Sequence, residues 1–347
     1  MNPGIGNAVT LAPAAVGDLL KEQIAPQLLE RTGRRAVVPP PLAPSRVGVI
    51  GNPLSRRNRA HAFSERVEGE VMTRAPTSQR ALAEALVELA AARIELLVVD
   101  GGDGTVRDVL TAAPAAFGSA MPTVAVIPSG KTNALAIDLG VPATWTATDA
   151  RAAFAAGRVE TRTPVEITRE DGVTLRGFLF GAGGFVRATE LAQRTHAIGA
   201  FGGIAVGLSV AGAIAQTVFG GRDNPWRAGE PMKMANLRDG TARTQDLYLL
   251  LGSTLRRLPL GLRPLGANRA GLNLLAVEAP PRLLPLAAPA ILAGREGGWL
   301  ERAGYHHCHD VPAFQLDLRG GFILDGEAFA AESITVRTGA PIRFVTP

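Results

Sequence analysis

Two consecutive strand-turn-helix units in residues 97–138 constrain the fold of this chain more than any other part of its sequence. Each unit begins with a run of apolar residues typical of a buried strand, enters a turn of small residues and continues into a helical pattern. The turns follow residues 97–100 and 124–127. Such units predict neighbouring strands of a parallel sheet, and open sheets of this type bind ligands at the ends of their strands.

The first turn reads Gly101-Gly102-Asp103-Gly104-Thr105 and predicts a phosphate-binding site. Its three glycines allow positive φ and let the backbone N–H groups approach an oligophosphate. Asp103 is the only charged residue of the turn, and a carboxylate beside phosphate needs a cation such as Mg²⁺ or a transferable proton. The turn therefore indicates phosphoryl transfer, with a glycine-rich turn carrying a solvated aspartate as the alternative.

The second turn comprises residues 128–133, with the sequence Pro-Ser-Gly-Lys-Thr-Asn. Its Gly130-Lys131-Thr132 segment is similar to the end of a Walker A loop. The first glycine of such a loop would fall at position 125, where the chain has Ala125. The spacing therefore argues against a P-loop.

Four motifs together resemble the diacylglycerol kinase catalytic-domain family, which includes bacterial lipid kinases and the sphingosine and ceramide kinases. Two of them are the turns already described. The others are an Asn-Pro-x-Ser turn at residues 52–55, after a predicted strand, and an Asp-Gly-Glu motif at residues 325–327. The resemblance covers about residues 46–347 and is more specific than any single motif.

The resemblance implies an α/β plus β fold. An N-terminal doubly wound parallel α/β domain would be followed by a C-terminal antiparallel β-sandwich domain, with the active cleft between them. It also implies a lipid kinase that transfers the γ-phosphoryl group of ATP to the hydroxyl of a diacylglycerol or related acyl lipid.

The same resemblance implies roles for individual residues. Asp103 would hold Mg²⁺, and Asp325 or Glu327 would be the general base for the lipid hydroxyl. Read without the family, Asp325-Gly326 is alternatively a hairpin turn. The residues that would hold the nucleotide are Asn52, Thr73, Gly101, Gly102, Asp103, Gly104, Thr105, Gly130, Lys131, Thr132 and Asn133.

The chain departs from the family pattern at three places. Arg56 stands where the family usually has glycine, and in the second turn Lys131 and Ala134 replace threonine and aspartate. We expect Lys131 to contact phosphate as a point charge. In the second domain Asn268-Arg269 lacks the carboxylate that helps the family bind a Mg²⁺ there.

Two other functions fit parts of the sequence. NAD kinase shares the Gly-Gly-Asp-Gly turn, although its second motif differs. A catalytically inactive nucleotide- or lipid-binding protein of the same fold is supported by Arg56, Lys131 and Arg269, and opposed by the intact carboxylates of the motifs.

The predicted organisation has three parts. Residues 1–44 form an N-terminal extension with a proline-rich linker, 45–160 the nucleotide-binding domain, and 161–347 the β-rich domain, whose last segment could return to the first domain. A helix is predicted at residues 79–92. Strands of the β-rich domain are predicted at residues 173–180, 246–251, 272–277, 315–318, 334–337 and 342–345.

Composition bounds the partners and the compartment. The net charge of +5 suits an anionic partner such as ATP or an acidic lipid surface. No basic run with interleaved aromatic residues is present, which argues against nucleic acid. A single cysteine, Cys308, and no visible signal peptide predict a cytoplasmic protein peripherally associated with the inner face of the membrane. Association into a homodimer is left open.

Two further stretches have competing interpretations. Residues 197–215 carry no charge, and their five glycines favour a buried or membrane-touching helix over a membrane span. Residues 305–310 read Tyr-His-His-Cys-His-Asp, whose imidazole and thiolate groups suit Zn²⁺. Consecutive residues of a strand face opposite sides, so a polar strand or loop is favoured there over a metal site.

Overall fold

The computed structural model describes residues 47–53, 55, 66–68, 71–184, 186, 229–267 and 270–347. Several predictions lie outside these residues. They concern the extension of residues 1–44, the uncharged stretch 197–215, Arg56, and Asn268-Arg269.

Among the described residues, the first of two sheets has seven strands in the order β2-β3-β1-β4-β5-β18-β6. Strands β3, β1, β4, β5 and β18 run parallel, and β2 and β6 flank them in antiparallel orientation. The strands are β1 (Val47–Gly51), β2 (Arg66–Glu68), β3 (Val71–Arg74), β4 (Leu96–Gly101), β5 (Thr123–Pro128), β6 (Val159–Arg162) and β18 (Ile342–Val345).

In the part of the chain that the structure describes, four helices belong to the first lobe. They are α1 (Gln79–Ala91), α2 (Asp103–Phe117), α3 (Ala134–Asp138) and α4 (Ala147–Ala155). Helix α1, predicted from its apolar spacing, is confirmed. Ser78 caps it by accepting a hydrogen bond from the Ala81 N–H at 3.1 Å, and Leu82, Leu86 and Leu89 are buried on one face.

The second sheet, within the described ranges, has eleven strands, and its pairs are antiparallel. The path β16-β15-β9-β11-β10-β14-β17-β7-β8 is extended by β12 on β11 and β13 on β12. These strands are β7 (Val165–Arg169), β8 (Thr174–Gly177), β9 (Leu179–Gly183), β10 (Glu230–Asn236), β11 (Ala242–Ser253), β12 (Asn273–Glu278), β13 (Tyr305–Cys308), β14 (Phe314–Asp317), β15 (Phe322–Leu324), β16 (Glu327–Phe329) and β17 (Ser333–Thr338). Helices α5 (Leu284–Leu292) and α6 (Trp299–Arg302) also belong to this lobe.

One strand prediction needs correction. The predicted strand at residues 173–180 is two strands, β8 and β9, separated at Phe178. The interruption has a packing reason, because the Phe178 ring lies in the core of the first lobe, 6.1 Å from the ring of Phe344. The predicted strand at 342–345 is β18, and it lies in the first sheet, in agreement with the expectation that the last segment could return to the first domain.

Hydrogen bonds and packing join the two lobes. Thr111 Oγ1 of α2 accepts a hydrogen bond from the Arg176 N–H of β8 at 3.0 Å. At the end of α3, buried Asp138 Oδ1 accepts the N–H groups of Arg256 and Arg257, each at 2.7 Å. The other oxygen of Asp138 pairs with Arg162 Nε at 2.5 Å. These contacts fix the two lobes against each other.

Strand β13 is a polar strand paired with β12, as residues 305–310 predicted. His306 Nε2 lies 3.0 Å from Glu278 Oε1, and His309 lies between Asn273 Oδ1 at 2.8 Å and Glu296 Oε2 at 2.7 Å. Within the ranges given above, no three His, Cys, Asp or Glu side chains converge as a metal site.

No helix in the described part of the chain combines the length and apolarity needed to cross a membrane.

Candidate active site

The two predicted turns meet at the carboxyl ends of β4 and β5. A Cβ placed on Gly102 would lie 3.0 Å from Gly130 Cα, and a Cβ on Gly130 would overlap Gly102 Cα. The Ser129 N–H donates to the Gly101 carbonyl at 3.1 Å. Backbone therefore packs directly on backbone between the turns, which only glycine at both contact positions allows.

The positive φ predicted for the first-turn glycines was wrong. Gly102 has φ −91°, and neither Gly101 nor Gly104 has positive φ. Packing explains two of the three glycines instead, because a Cβ on Gly101 would lie 2.5 Å from Thr105 Cβ. Gly104 has its nearest contact at 3.8 Å and is not required sterically. The left-handed residue of the two turns is Asn133, with φ 52°.

This difference between glycines gives a matched pair of variants. We expect Gly130→Ala to lower the free energy of unfolding by about 1–3 kcal/mol, because its methyl group overpacks the contact between the turns. ATP affinity should fall with it. Gly104→Ala, inside α2, should be neutral or stabilising by up to about 1 kcal/mol. Urea unfolding and calorimetric ATP titration measure both effects, and equal unfolding midpoints for the two variants would contradict the packing argument.

Helix α2 presents backbone donors at its first turn. Gly102 is the N-cap, and no described residue accepts the N–H groups of Gly104 and Thr105. The Thr105 hydroxyl accepts a hydrogen bond from Asn52 Nδ2 at 3.0 Å, which ties the turn after β1 to this helix end. The free N–H groups and the helix dipole together suit the start of α2 to binding an anion.

Asp103 links the first turn to the second. Its Oδ1 accepts the N–H of Ala134 at 2.7 Å, so the carboxylate lies against the start of α3. Burial raises the pKa of Asp103, although backbone N–H groups around Ala134 act in the opposite direction. The backbone of Ala134 thus contacts Asp103 at the position where the family motif has an aspartate.

The other residues predicted to hold the nucleotide lie in the second turn and in β3. Asn133 holds the second turn, accepting the Gly130 N–H at 2.9 Å and donating to its carbonyl at 3.2 Å. Lys131 and Thr132 are exposed at the outside of this turn. Thr73 lies apart from the turns, buried in β3 opposite Val49 of β1.

The late motif forms a hairpin turn and also places a carboxylate between the lobes. Asp325 and Gly326 connect β15 to β16 with φ 48° and 81°, the positive values of a type I′ turn. Asp325 Oδ1 accepts the N–H groups of Phe178 and Leu179 at 3.0 and 2.9 Å. A Cβ on Gly177 would overlap the Asp325 carboxylate. The turn interpretation and the site interpretation of this motif are therefore compatible.

Two carboxylates, one from each lobe, influence each other across this junction. Burial and the negative charge of Asp103 raise the pKa of Asp325 to about 7. The N–H groups of Phe178 and Leu179 and the charge of Arg107 act against this shift. A carboxyl group with this pKa exchanges its proton near neutral pH, which is the property of a general base.

Glu327 is held in an ion pair with Arg107, whose Nη2 lies 2.5 Å from Glu327 Oε2 and 2.8 Å from Asp108 Oδ1. Arg107 Nη1 also donates to the Leu324 carbonyl at 3.4 Å, and the guanidinium lies 5.2 Å from the Phe329 ring centroid. With 4% of its side chain exposed, Arg107 connects α2 to the hairpin that carries Asp325.

Sequence reasoning missed three residues of this site: Arg107, Gly177 and Phe178. An arginine among the buried residues of α2 was a signal that it has a buried partner. The sequence gives no sign of the roles of Gly177 and Phe178, because both depend on contact with Asp325. Phe178 and Asp325 are 147 residues apart in the chain.

Fold and site together define a class of protein. A parallel α/β lobe supplies two amide-rich turns, and a β-rich lobe supplies a carboxylate beside them, an arrangement typical of phosphotransferases.

Comparison with known proteins supports the resemblance. Residues 46–167 match the family model described as the diacylglycerol kinase catalytic domain. This match agrees with the family that the motifs predicted, and a kinase-type function is supported.

Solved structures confirm the predicted fold class. The chain is similar to a diacylglycerol kinase from Bacillus anthracis str. Sterne, with a TM-score of 0.59 and 16% identity over 87% of this chain and 97% of that one. Another crystal structure from the same organism has a TM-score of 0.62, with the same identity and coverage. No curated protein matches the chain in sequence.

Proposed function

We propose that this chain is an ATP-dependent lipid kinase that phosphorylates the hydroxyl of a diacylglycerol or a related acyl lipid. The observation that carries the proposal is the position of Asp325. Its carboxyl group, with a pKa near 7, lies within electrostatic range of Asp103, at the junction between the glycine turns and the second lobe. The family match and the kinase-like fold support the same reaction class.

The residues of the first lobe fit ATP. Two features of this lobe suit a polyphosphate. The turns meet at a glycine contact that any Cβ would disrupt, and N–H groups at the start of α2 are unpaired. Asp103 would hold Mg²⁺ together with phosphate oxygens, since Mg²⁺ in nucleotide sites uses one or two carboxylates. Exposed Lys131 would add a cation at the second turn. When bound, ATP supplies the γ-phosphoryl group and Mg²⁺ neutralises charge on the phosphates.

The chemical step assigned to the second lobe is proton transfer. Asp325 accepts the proton of the lipid hydroxyl as its oxygen attacks the γ-phosphorus, and ADP leaves. The Phe178 and Leu179 N–H groups hold the carboxylate in place during this step. Glu327 is committed to Arg107, so we assign the base to Asp325 and a positioning role to Glu327.

The test is transfer of labelled γ-phosphate from ATP and Mg²⁺ to a bacterial lipid extract in detergent micelles. We expect a labelled lipid whose formation Asp103→Asn abolishes. The kcat/KM of the wild-type protein should fall as the pH drops below about 7, by up to tenfold per pH unit. The reason is that Asp325 becomes protonated and no longer accepts the proton of the hydroxyl.

Other outcomes of this assay select the alternatives. Label in NADP⁺ when NAD⁺ is offered, with none in lipid, would replace the proposal by an NAD kinase. ATP binding without any labelled product would replace it by a non-catalytic binding protein.

A further inference from the structure

We propose that residues 256–263, the arginine loop, dock this protein on a bilayer containing anionic phospholipids. The loop reads Arg-Arg-Leu-Pro-Leu-Gly-Leu-Arg, and residues 254–267 contain no acidic residue. Arg256, Arg257 and Arg263 are exposed. Leu260, at the tip, has 66% of its surface exposed. A projecting apolar residue among cations matches a membrane surface with anionic headgroups above hydrocarbon.

The base of the arginine loop is fixed at both ends. The N–H groups of Arg256 and Arg257 donate to Asp138 Oδ1, each at 2.7 Å, and the Arg263 N–H donates to the Leu292 carbonyl of α5 at 2.9 Å. Leu260, in the 3₁₀ turn Pro259–Gly261, has φ 61°. Leucine is uncommon in this left-handed conformation, which places the Leu260 side chain at the exposed tip of the loop.

The charge of the arginine loop is largely uncompensated by the protein. Arg256 Nη1 lies 3.9 Å from Glu160 Oε2. Among the residues that the structure describes, no carboxylate pairs with Arg257 or Arg263. Their guanidinium groups are therefore available to lipid phosphates, for which arginine geometry is well suited.

A cavity of about 400 Å³ lies beside the loop, within the size range of ligand pockets. Its walls combine apolar side chains with the same arginines. Ile137, Leu258, Leu262 and Leu265 line it together with Arg257 and Arg263. This lining suits an amphiphile whose phosphate meets the guanidinium groups and whose chain meets leucine, as a lipid of the bilayer does.

The arginine loop lies close to the candidate active site. Asp138, which holds its base, ends α3, and this helix begins directly after Asn133 of the second turn. Five residues of helix span about 7.5 Å. Docking would therefore bring the edge of the active cleft to the membrane that contains the lipid substrate. Access to a lipid substrate as the purpose of docking rests on the proposed function, whereas binding to an anionic bilayer does not.

The experiment is co-sedimentation of the full chain with vesicles, without nucleotide. Vesicles of phosphatidylglycerol and phosphatidylcholine in equal amounts are compared with phosphatidylcholine alone. We expect binding to the anionic vesicles only. The double variant Arg257→Ala, Arg263→Ala should reduce partitioning about 25-fold, or about fivefold for each arginine. Leu260→Glu should reduce it at least about tenfold.

The matched control is Leu237→Glu. Leu237 is also an exposed leucine, at 52%, but it lies in the hairpin before β11 while the arginine loop follows β11. The twelve residues of this strand separate the two positions by about 40 Å. Leu237→Glu should bind anionic vesicles as the wild type does.

Three outcomes would overturn the docking proposal. In the first, the protein binds both vesicle types equally. In the second, the double arginine variant or Leu260→Glu binds as well as the wild type. In the third, Leu237→Glu loses as much binding as Leu260→Glu does. Because no nucleotide is present, failure here is separate from failure of the labelled-phosphate assay. A protein that binds anionic vesicles but labels no lipid would retain the docking surface and lose only the kinase assignment.

Discussion

Asp325→Asn is expected to lower kcat for phosphoryl transfer by about 10²- to 10⁴-fold, the usual contribution of a general base. The amide oxygen can still accept the Phe178 and Leu179 N–H groups, and asparagine tolerates the left-handed backbone of this position. The variant loses only the capacity to take a proton. ATP affinity, measured by calorimetry, should therefore change little, while initial rates collapse and their dependence on pH near 7 disappears.

Asp310→Asn is the control for Asp325→Asn. Asp310 has the same φ of 48° but is exposed and far from the turns in sequence, so its variant should keep wild-type rates. A rate loss below about tenfold in Asp325→Asn would show that another group takes the proton.

Stability gives a second measure of the same carboxyl group. Its pKa is about 7 in the folded protein and 3.8 in an unstructured peptide, so between these values the folded state binds the extra proton. Stability from this group is present below the lower value and is lost as the pH rises through the higher one. The wild type should therefore lose more unfolding free energy between pH 5 and about 8 than Asp325→Asn does.

Arg107→Met is expected to lower the free energy of unfolding by about 3 kcal/mol, because it removes one partner of a largely buried charge cluster. Methionine keeps much of the packing against Phe329 but loses the bonds to Glu327, Asp108 and the Leu324 carbonyl. Rates should fall as well, since this cluster fixes the hairpin of Asp325. Urea unfolding and the phosphate-transfer assay measure the two effects.

Arg80→Met is the matched control on a neighbouring helix. Arg80 is 61% exposed and pairs with Glu84 one turn along α1. Pairs of this kind contribute about 0.3–0.5 kcal/mol. If Arg107→Met costs no more than Arg80→Met, the junction between α2 and the hairpin does not depend on this arginine.

Local patterns predicted most of the elements that carry the site. Both glycine turns and the strands that precede them follow from short runs of sequence, because strand periodicity and turn composition act over a few residues. The packing reason for Gly102 and Gly130 could not be predicted, since it depends on how closely β4 and β5 bring the turns together. The glycine content of the first turn suggested positive φ instead.

Long-range contacts account for what the sequence did not predict. Arg107 reaches the Leu324 carbonyl across 217 residues, and no spacing rule relates the two positions. Phe178 breaks a predicted strand because its ring is buried in the other lobe against Phe344. The ion pair between Glu327 and Arg107 distinguishes the role proposed for Glu327 from that of Asp325. It could be recognised only from the contact between α2 and the β15–β16 hairpin.

The place of β18 determines how the chain can be assembled and divided. This strand follows the whole second lobe in sequence, yet it lies between β5 and β6, and Phe344 on it is completely buried. During synthesis the first sheet cannot close until the second lobe has been made. A fragment limited to residues 46–167 would leave the edge of β5 unpaired, and exposed strand edges promote aggregation. The smallest folding unit is thus set by the strand pairing and extends across both lobes.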